Sequence, residues 1–359
     1  MSRIRVGIVG AGQMASLHAA AYKEIEDAEV YAVCDRREEV AINKALEWGA
    51  SRSYTDYADL IADPNVDAVE VLTPHHLHHE IVMAAAAAGK AIHVAKPLAI
   101  GLKTAERVLD LVEQRGVLLQ VSEPSFHFRP LLEAQGFIES GEIGSPMAIR
   151  MKVTLGSPSG GWPTKPESWL WRMDPARCGG GALLFDHGYH KLAAALLLMG
   201  PVEQVSAWVS RTEIHPGYFL DAPTLVFWKH VASNRVGSLE LTYAPQLLVR
   251  STTYPVVEFI EVTGTRGMLW VNQGCARVLN SAPLELMRDS RLFSFGDLDE
   301  DWREAVYASV KNFVLCMRGQ ARPTLSGGEA LRVLRFALAA REAAHHGGTV
   351  VVGDVPRGA

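Results

Sequence analysis

The chain has 359 residues, 48% hydrophobic and 21% charged; at about 150 residues per domain this is a globular protein of roughly two domains, and wholesale disorder or a fibrous repeat is excluded. The net charge, 35 − 40 = −5, argues against a dedicated nucleic-acid binder. Cys34, Cys178, Cys275 and Cys316 are far apart and form no CxxC pair, so the expectation is a cytoplasmic protein with reduced thiols, without a zinc knuckle or disulfide framework.

No apolar run reaches the roughly 18–20 residues that span a membrane; the longest run from Ile81 to Gly89 and from Leu192 to Gly200. The stretch after Arg3 and Arg5 contains Gly10 and Gly12 and offers no small-residue cleavage site, so no secretory leader is expected. From Ile4 the chain alternates apolar runs with helical periodicity. Strands are expected at Ile4–Val9, Glu29–Cys34, Val66–Leu72, Ala91–Val94 and Val117–Val121, and helices at Met14–Tyr22, Val40–Trp48, Glu80–Gly89 and Lys103–Arg115. That order implies right-handed βαβ crossovers and a parallel sheet covered on both faces.

After Pro124 the pattern changes. A helix at Leu131–Ser140 and a strand at Met147–Leu155 precede a Gly/Pro/Ser-rich loop at Gly156–Pro166; Gly179-Gly180-Gly181 then opens one apolar helix reaching Met199. Strands at Val202–Arg211, Thr224–Lys229, Val236–Tyr243, Val256–Val262 and Met268–Val271 follow one another, which favours an antiparallel or mixed sheet. Helices at Trp302–Arg318 and Gly328–His345 close the chain. The boundary near Val121–Pro124 divides it into 1–122 and 123–359.

Gly10-Ala11-Gly12-Gln13-Met14-Ala15 is a GxGxxA loop between a strand and a helix. The first glycine permits the tight turn, the second lets backbone approach a pyrophosphate, and Ala15 allows close helix–strand packing. The second strand ends in Asp35, 23 residues past Gly12, where a carboxylate accepts from both ribose hydroxyls. The acid favours NAD over NADP; Arg36 and Arg37, directly after it, leave NADP open.

Three further motifs follow in order: Thr73-Pro74-His75-His76-Leu77-His78; the run from Ala88 to Leu98 containing Ala95-Lys96-Pro97; and Gly179-Gly180-Gly181 with Asp186, Gly188 and His190. With the glycine loop they resemble the glucose–fructose oxidoreductase / inositol dehydrogenase (Gfo/Idh/MocA) family over nearly the whole chain. The resemblance implies an α/β protein: an N-terminal Rossmann domain (1–122) binding the dinucleotide, and a C-terminal α/β domain (123–359) with a large, mostly antiparallel sheet for substrate binding and oligomerisation. It implies an NAD(P)-dependent oxidoreductase acting on a carbohydrate or cyclitol, with Lys96, Asp186 and His190 as catalytic residues. Gly10, Gly12, Gln13, Met14, Asp35, Arg36, Thr73, Pro74, His78, Lys96 and Pro97 are the expected cofactor contacts, and a homodimer or homotetramer the expected assembly. Two departures stand out: Ala95 replaces the family's usual Glu, and Ala193 a further Asp found in many members. Two other activities occur among relatives: NAD-retaining glycoside cleavage, and dinucleotide sensing without catalysis.

Removing the hydroxyl proton of a secondary alcohol requires a base within hydrogen-bond reach. Asp186 and His190, four apart on one expected helix, share a face; Lys96 ends a parallel strand, where such sheets bind ligands. Either Lys96 or His190 suits the role of base. His127, Trp162 and Trp171 join Lys96, Asp186 and His190 as candidate substrate contacts, the tryptophans either facing a sugar ring or packing a loop. His75, His76, His78 and His79 read as a polar first helical turn, and no metal site is expected.

Overall fold

A computed structural model describes residues 2–162, 169–251, 253–272 and 281–354. Cys275 and the end of the expected loop, from residue 163, lie outside the described residues. The chain packs as two compact units, one of Met1–Pro124 with Val306–Leu331, the other of Ser125–Ala305 with Arg332–Arg357. The division at 122/123 read from the sequence does not include this return of 306–331 to the first unit.

In the first unit six parallel strands lie in the order β3-β2-β1-β4-β5-β6: β1 Ile4–Val9, β2 Ala28–Cys34, β3 Arg52–Tyr54, β4 Ala68–Val71, β5 Ala91–Ala95 and β6 Leu119–Ser122. This is the doubly wound order, with helices α1 Gln13–Glu24, α2 Glu38–Trp48, α3 Tyr57–Ala62, α4 His75–Ala87 and α5 Leu102–Arg115 between the strands. Strand β3 and helix α3 were not expected: β3 is three residues long with two exposed, and α3 is six residues begun by an Asp56 cap. Helix α4 starts at His75, earlier than the alanine run suggested, because Pro74 supplies its cap position. The core around β1 is closed by α1 and by Val310, Phe313 and Val314.

One acid is buried in that apolar sheet. Glu70, in central strand β4, is 0% exposed. Its Oε2 accepts from Tyr22 Oη at 2.6 Å and His93 Nδ1 at 2.8 Å, and His18 Nδ1 lies 3.0 Å from its Oε1. Ser309 Oγ lies 3.3 Å from His93 Nε2, and Phe313 stacks on the same ring. Burial works to raise the Glu70 carboxyl, but the two imidazoles outweigh it and hold the group well below the usual carboxylate range.

In the second unit nine strands take the order β16-β15-β14-β13-β7-β12-β11-β8-β17: β7 Pro146–Pro158, β8 Val202–Val209, β11 Thr224–His230, β12 Val236–Val249, β13 Val256–Gly264, β14 Gly267–Val271, β15 Leu284–Arg288, β16 Arg291–Phe295 and β17 Thr349–Val351. Every pair is antiparallel except β12 with β7. A separate hairpin joins β9 Thr212–His215 to β10 Tyr218–Leu220. The expected single helix from the glycine run to Met199 is two pieces, a π-helical turn Ala182–His187 and the α-helix Gly188–Met199. Asp221 causes the break: its carboxylate accepts from Leu183 N at 2.8 Å and Leu184 N at 2.6 Å. Gly181 has φ +143°, and a Cβ there would stand 2.3 Å from Asp221 Oδ2, so only glycine admits this cap.

Glu70→Ala should lower stability by about 3–5 kcal/mol in chemical denaturation, because the buried groups facing Glu70 lose their counter-charge. Since the folded carboxyl titrates below its unfolded value, its contribution is complete above about pH 5 and fades as pH falls below ~4.3. Wild type should therefore lose more stability on acidification through that window than Glu70→Gln. Equal losses would show that Glu70 is not ionised in the fold.

Candidate active site

The glycine loop is held by backbone. Gly10 has φ +94°, and a Cβ there would lie 2.7 Å from the Leu72 carbonyl oxygen, so the turn after β1 closes against the turn after β4 only with glycine. Gly10 N donates to Cys34 O at 2.8 Å, linking β1 to β2. Gly12 caps α1 without a side chain, and a Cβ on it would meet nothing within 4 Å. The first N–H groups of α1, from Gln13 and Met14 onward, thus open a helix N-terminus with accessible backbone beside it, the arrangement that takes phosphate.

Asp35 follows the end of β2. Its Oδ2 accepts from Ala11 N at 3.2 Å, and its two oxygens take Arg37 Nε at 2.9 Å and Nη2 at 3.1 Å. Burial works to raise this carboxyl, but Arg37 prevails and holds it below the usual range. A bound ribose diol would compete with Arg37, which is largely exposed, for the same oxygens. Arg36 is exposed next to it.

The Thr73-Pro74 and Lys96-Pro97 turns are brought together by His78. This ring is 0% exposed, with Nδ1 2.7 Å from Pro97 O and Nε2 2.8 Å from Thr73 O. Burial, with His75 beside it, pushes His78 down to about 3. The neutral ring carries one N–H and donates to one of the two carbonyls. His78 thus joins the two turns from beneath. Lys96 N donates to Ser122 O at 3.2 Å, and Lys96 itself is half-buried at the end of β5.

In the second unit Asp186 lies in the π-turn and His190 in the helix that follows. Asp186 Oδ2 takes Arg172 Nε at 2.5 Å, and that guanidinium lies 4.5 Å from the Trp171 ring centre. His190 meets His187 edge to face at 6.0 Å. His187 Nε2 and Lys191 Nζ both reach Glu258 Oε1, at 2.8 and 3.1 Å. Burial works to raise Glu258, but Lys191 and His187 hold it well below the usual range. His187, His190, Lys191, Glu258, Tyr254 and Trp302 line a cavity of about 70 Å³. Trp162 stands behind this wall, against Tyr254 at 5.2 Å and Trp302 at 6.5 Å. His127 ends a short 3-10 turn, Pro124–His127, and is half-buried.

His187, Lys191, Glu258, Tyr254, Trp302 and Asp221 escaped the sequence reading. A signal existed for two: Glu258 interrupts an alternating apolar phase, Val256-x-Glu258-x-Ile260-x-Val262, and Lys191 sits on an apolar helix. Among the described residues, His18, Glu70 and His93 are grouped closely enough to hold a metal ion, within 4.8 Å of one another. His93 is hydrogen-bonded to Glu70 Oε2, whereas His18 meets Oε1 only as an ion-pair contact at 3.0 Å.

Residues 4–123 match the oxidoreductase family with an NAD-binding Rossmann fold, and residues 131–270 match the Gfo/Idh/MocA C-terminal domain. The chain belongs to this family. It is 28% identical to myo-inositol 2-dehydrogenase of Thermotoga maritima over 94% of this chain and 96% of that protein. It is 27% identical to D-apiose dehydrogenase of Paraburkholderia graminis, covering 98% and 90%. The fold matches an oxidoreductase from Agrobacterium radiobacter solved with NAD+, L-tartaric acid and magnesium, with a TM-score of 0.82 at 23% identity over 98% and 99% of the two chains. The open Gly12 backbone, the α1 terminus without a side-chain cap and the Asp35 carboxylate fit an NAD-type dinucleotide.

Asp35→Ala should weaken NAD by about 1–3 kcal/mol, the size of charged hydrogen bonds to the ribose. It also releases the Arg37 guanidinium, so NADP should be weakened less. Fluorescence titration with both reduced cofactors checks this; an equal loss for both would show that Asp35 does not read the ribose.

Proposed function

We propose that the chain is an NAD-dependent oxidoreductase that moves a hydride between the nicotinamide and a hydroxyl-bearing or keto carbon of a sugar, sugar derivative or cyclitol, with NADP as the alternative cofactor. One observation carries this reading: Gly10, Asp35, Thr73-Pro74 and Lys96-Pro97 follow the ends of four parallel strands, in a chain of this oxidoreductase family. Two relatives are named as dehydrogenases of a cyclitol, myo-inositol, and of a sugar, D-apiose, which supports the substrate class.

When bound, the nicotinamide supplies the hydride acceptor or donor. In this reading Gly10, Gly12, Gln13 and Met14 take the pyrophosphate, Asp35 and Arg36 face the adenosine ribose, and Thr73, Pro74, Lys96 and Pro97 support the nicotinamide end from turns that His78 fixes. Lys96 polarises the reacting oxygen, and His190 handles its proton. Asp186, whose charge is matched by Arg172, positions His190 or takes a substrate hydroxyl. Trp162, Trp171 and His127 belong to the substrate side. The sheet of the second unit carries exposed Trp208 and Phe227 at outward positions of β8 and β11. This supports a homodimer or homotetramer joined through that face, and in this reading the protein is cytoplasmic.

Lys96→Ala and His190→Ala should each lower kcat by about 10²- to 10⁴-fold, the typical worth of a positioned acid or base, while NAD titration stays unchanged. His190→Ala should also alter the pH profile, and Asp186→Asn should be milder. Near-wild-type kcat in both alanine variants, measured on a compound found by an NAD-reduction screen of sugars and cyclitols, would refute the assignment. Trp208→Glu should shift sedimentation towards the monomer; an unchanged assembly would remove that face as the interface.

A further inference from the structure

Glu258 occupies an inward position of β13, with its side chain 10% exposed. One oxygen, Oε1, serves both His187 Nε2 and Lys191 Nζ; Oε2 receives no donor from the described residues. Lys191, 11% exposed at its side chain, spends one of three N–H donors on that oxygen. Both residues line the cavity that holds His190, and Phe128, Leu131 and Val271 supply apolar wall. A carboxylate and an ammonium so placed are costly unless paired and fully hydrogen-bonded. Paired they are; fully bonded they are not. What they offer is one acceptor and two donors side by side, with no net charge to attract an ionic substrate.

We propose that Glu258 and Lys191 form a diol subsite beside His190: Glu258 Oε2 accepts from one substrate hydroxyl, and Lys191 Nζ donates to the oxygen of its neighbour. The subsite rests on the reading that a polyol is the substrate, and it assigns specificity to this pair. A vicinal diol supplies the hydrogen bonds that the pair lacks, and a substrate without either hydroxyl leaves a buried donor or acceptor unpaired.

The probes are D-glucose, myo-inositol and their monodeoxy derivatives. Calorimetry measures their binding to the NADH-saturated protein, and absorbance follows NAD reduction by the same compounds. The principal variant is Glu258→Leu with Lys191→Met, because replacing both members of a buried pair by apolar groups usually preserves folding. Wild type should bind a parent polyol roughly 10- to 100-fold more tightly than one or two of its monodeoxy derivatives. The double variant should lose the same factor on the parent and no longer distinguish those derivatives. Glu258→Gln alone, checked for folding by circular dichroism, should show a smaller loss in the same pattern, and it carries the comparison if the double variant does not fold. Parent binding within about twofold of wild type in a folded variant, or undiminished discrimination, would overturn the subsite. So would a wild type that binds none of the probes. Binding without NAD reduction would instead overturn the proposed activity, leaving the subsite to the binding comparison.

Discussion

A single carboxylate sets the geometry of the first unit. Glu70 is fully buried in the middle of the parallel sheet, and its partners come from α1 (His18 and Tyr22) and from the next strand (His93). A buried carboxylate is tolerated only when donors surround it, so a shift of α1 along β4 and β5 would uncover a charge in an apolar core. The helix that opens at the glycine loop is therefore held in register with the strands that end at Thr73 and Lys96. The loop's approach to Leu72, possible only at Gly10, and the His78 bridge between the two turns are consequences one layer further out.

The second unit uses acids in a related way. Asp221 takes two backbone N–H groups of the π-turn, and burial pushes its carboxyl up despite them. The cost is met by a local geometry that an ordinary α-helix start does not provide: the turn widens and Asp186, His187 and His190 are redistributed. The i, i+4 argument for a shared Asp186–His190 face assumed regular helix on both sides. The π-turn ends between them, and Arg172 takes an oxygen of Asp186. Such turns recur at functional sites because they re-aim side chains within an otherwise packed helix.

Much of this was legible in residue order. Strand β1 falls at Ile4–Val9 as the β-branched run suggests, and the Rossmann strands that were read lie within a few residues of their limits, because fully buried parallel strands are continuous apolar runs bounded by turn residues. What stayed hidden was short or depended on remote partners. Strand β3 has too few apolar residues to mark a strand. The β15–β16 hairpin turns on Asp289 and Ser290, both at positive φ, where Asn-Gly would have signalled the turn. The π-turn depends on Asp221, far along the chain, which no window over the glycine run contains. The cofactor-side motifs could be read as linear strings because each is one strand end. The cavity could not, because its charged lining is divided between a helix and β13.

That division bears on Ala193, one of the two positions set apart in the sequence. Ala193, where the resemblance read from the sequence leads one to expect an acid, is 0% exposed. An acid there would have needed its own counter-charge, since an unpaired buried carboxylate is not sustainable and Lys191 of the same helix is already paired with Glu258. The cavity's carboxylate enters from the sheet, at Glu258, and its counter-charge, Lys191, comes from the same helix as Ala193. Ala193 is absent from the cavity's lining, so the cavity's polarity rests on the buried Glu258–Lys191 pair and the imidazoles beside it, an arrangement assembled from a helix and a strand that no single stretch of sequence contains.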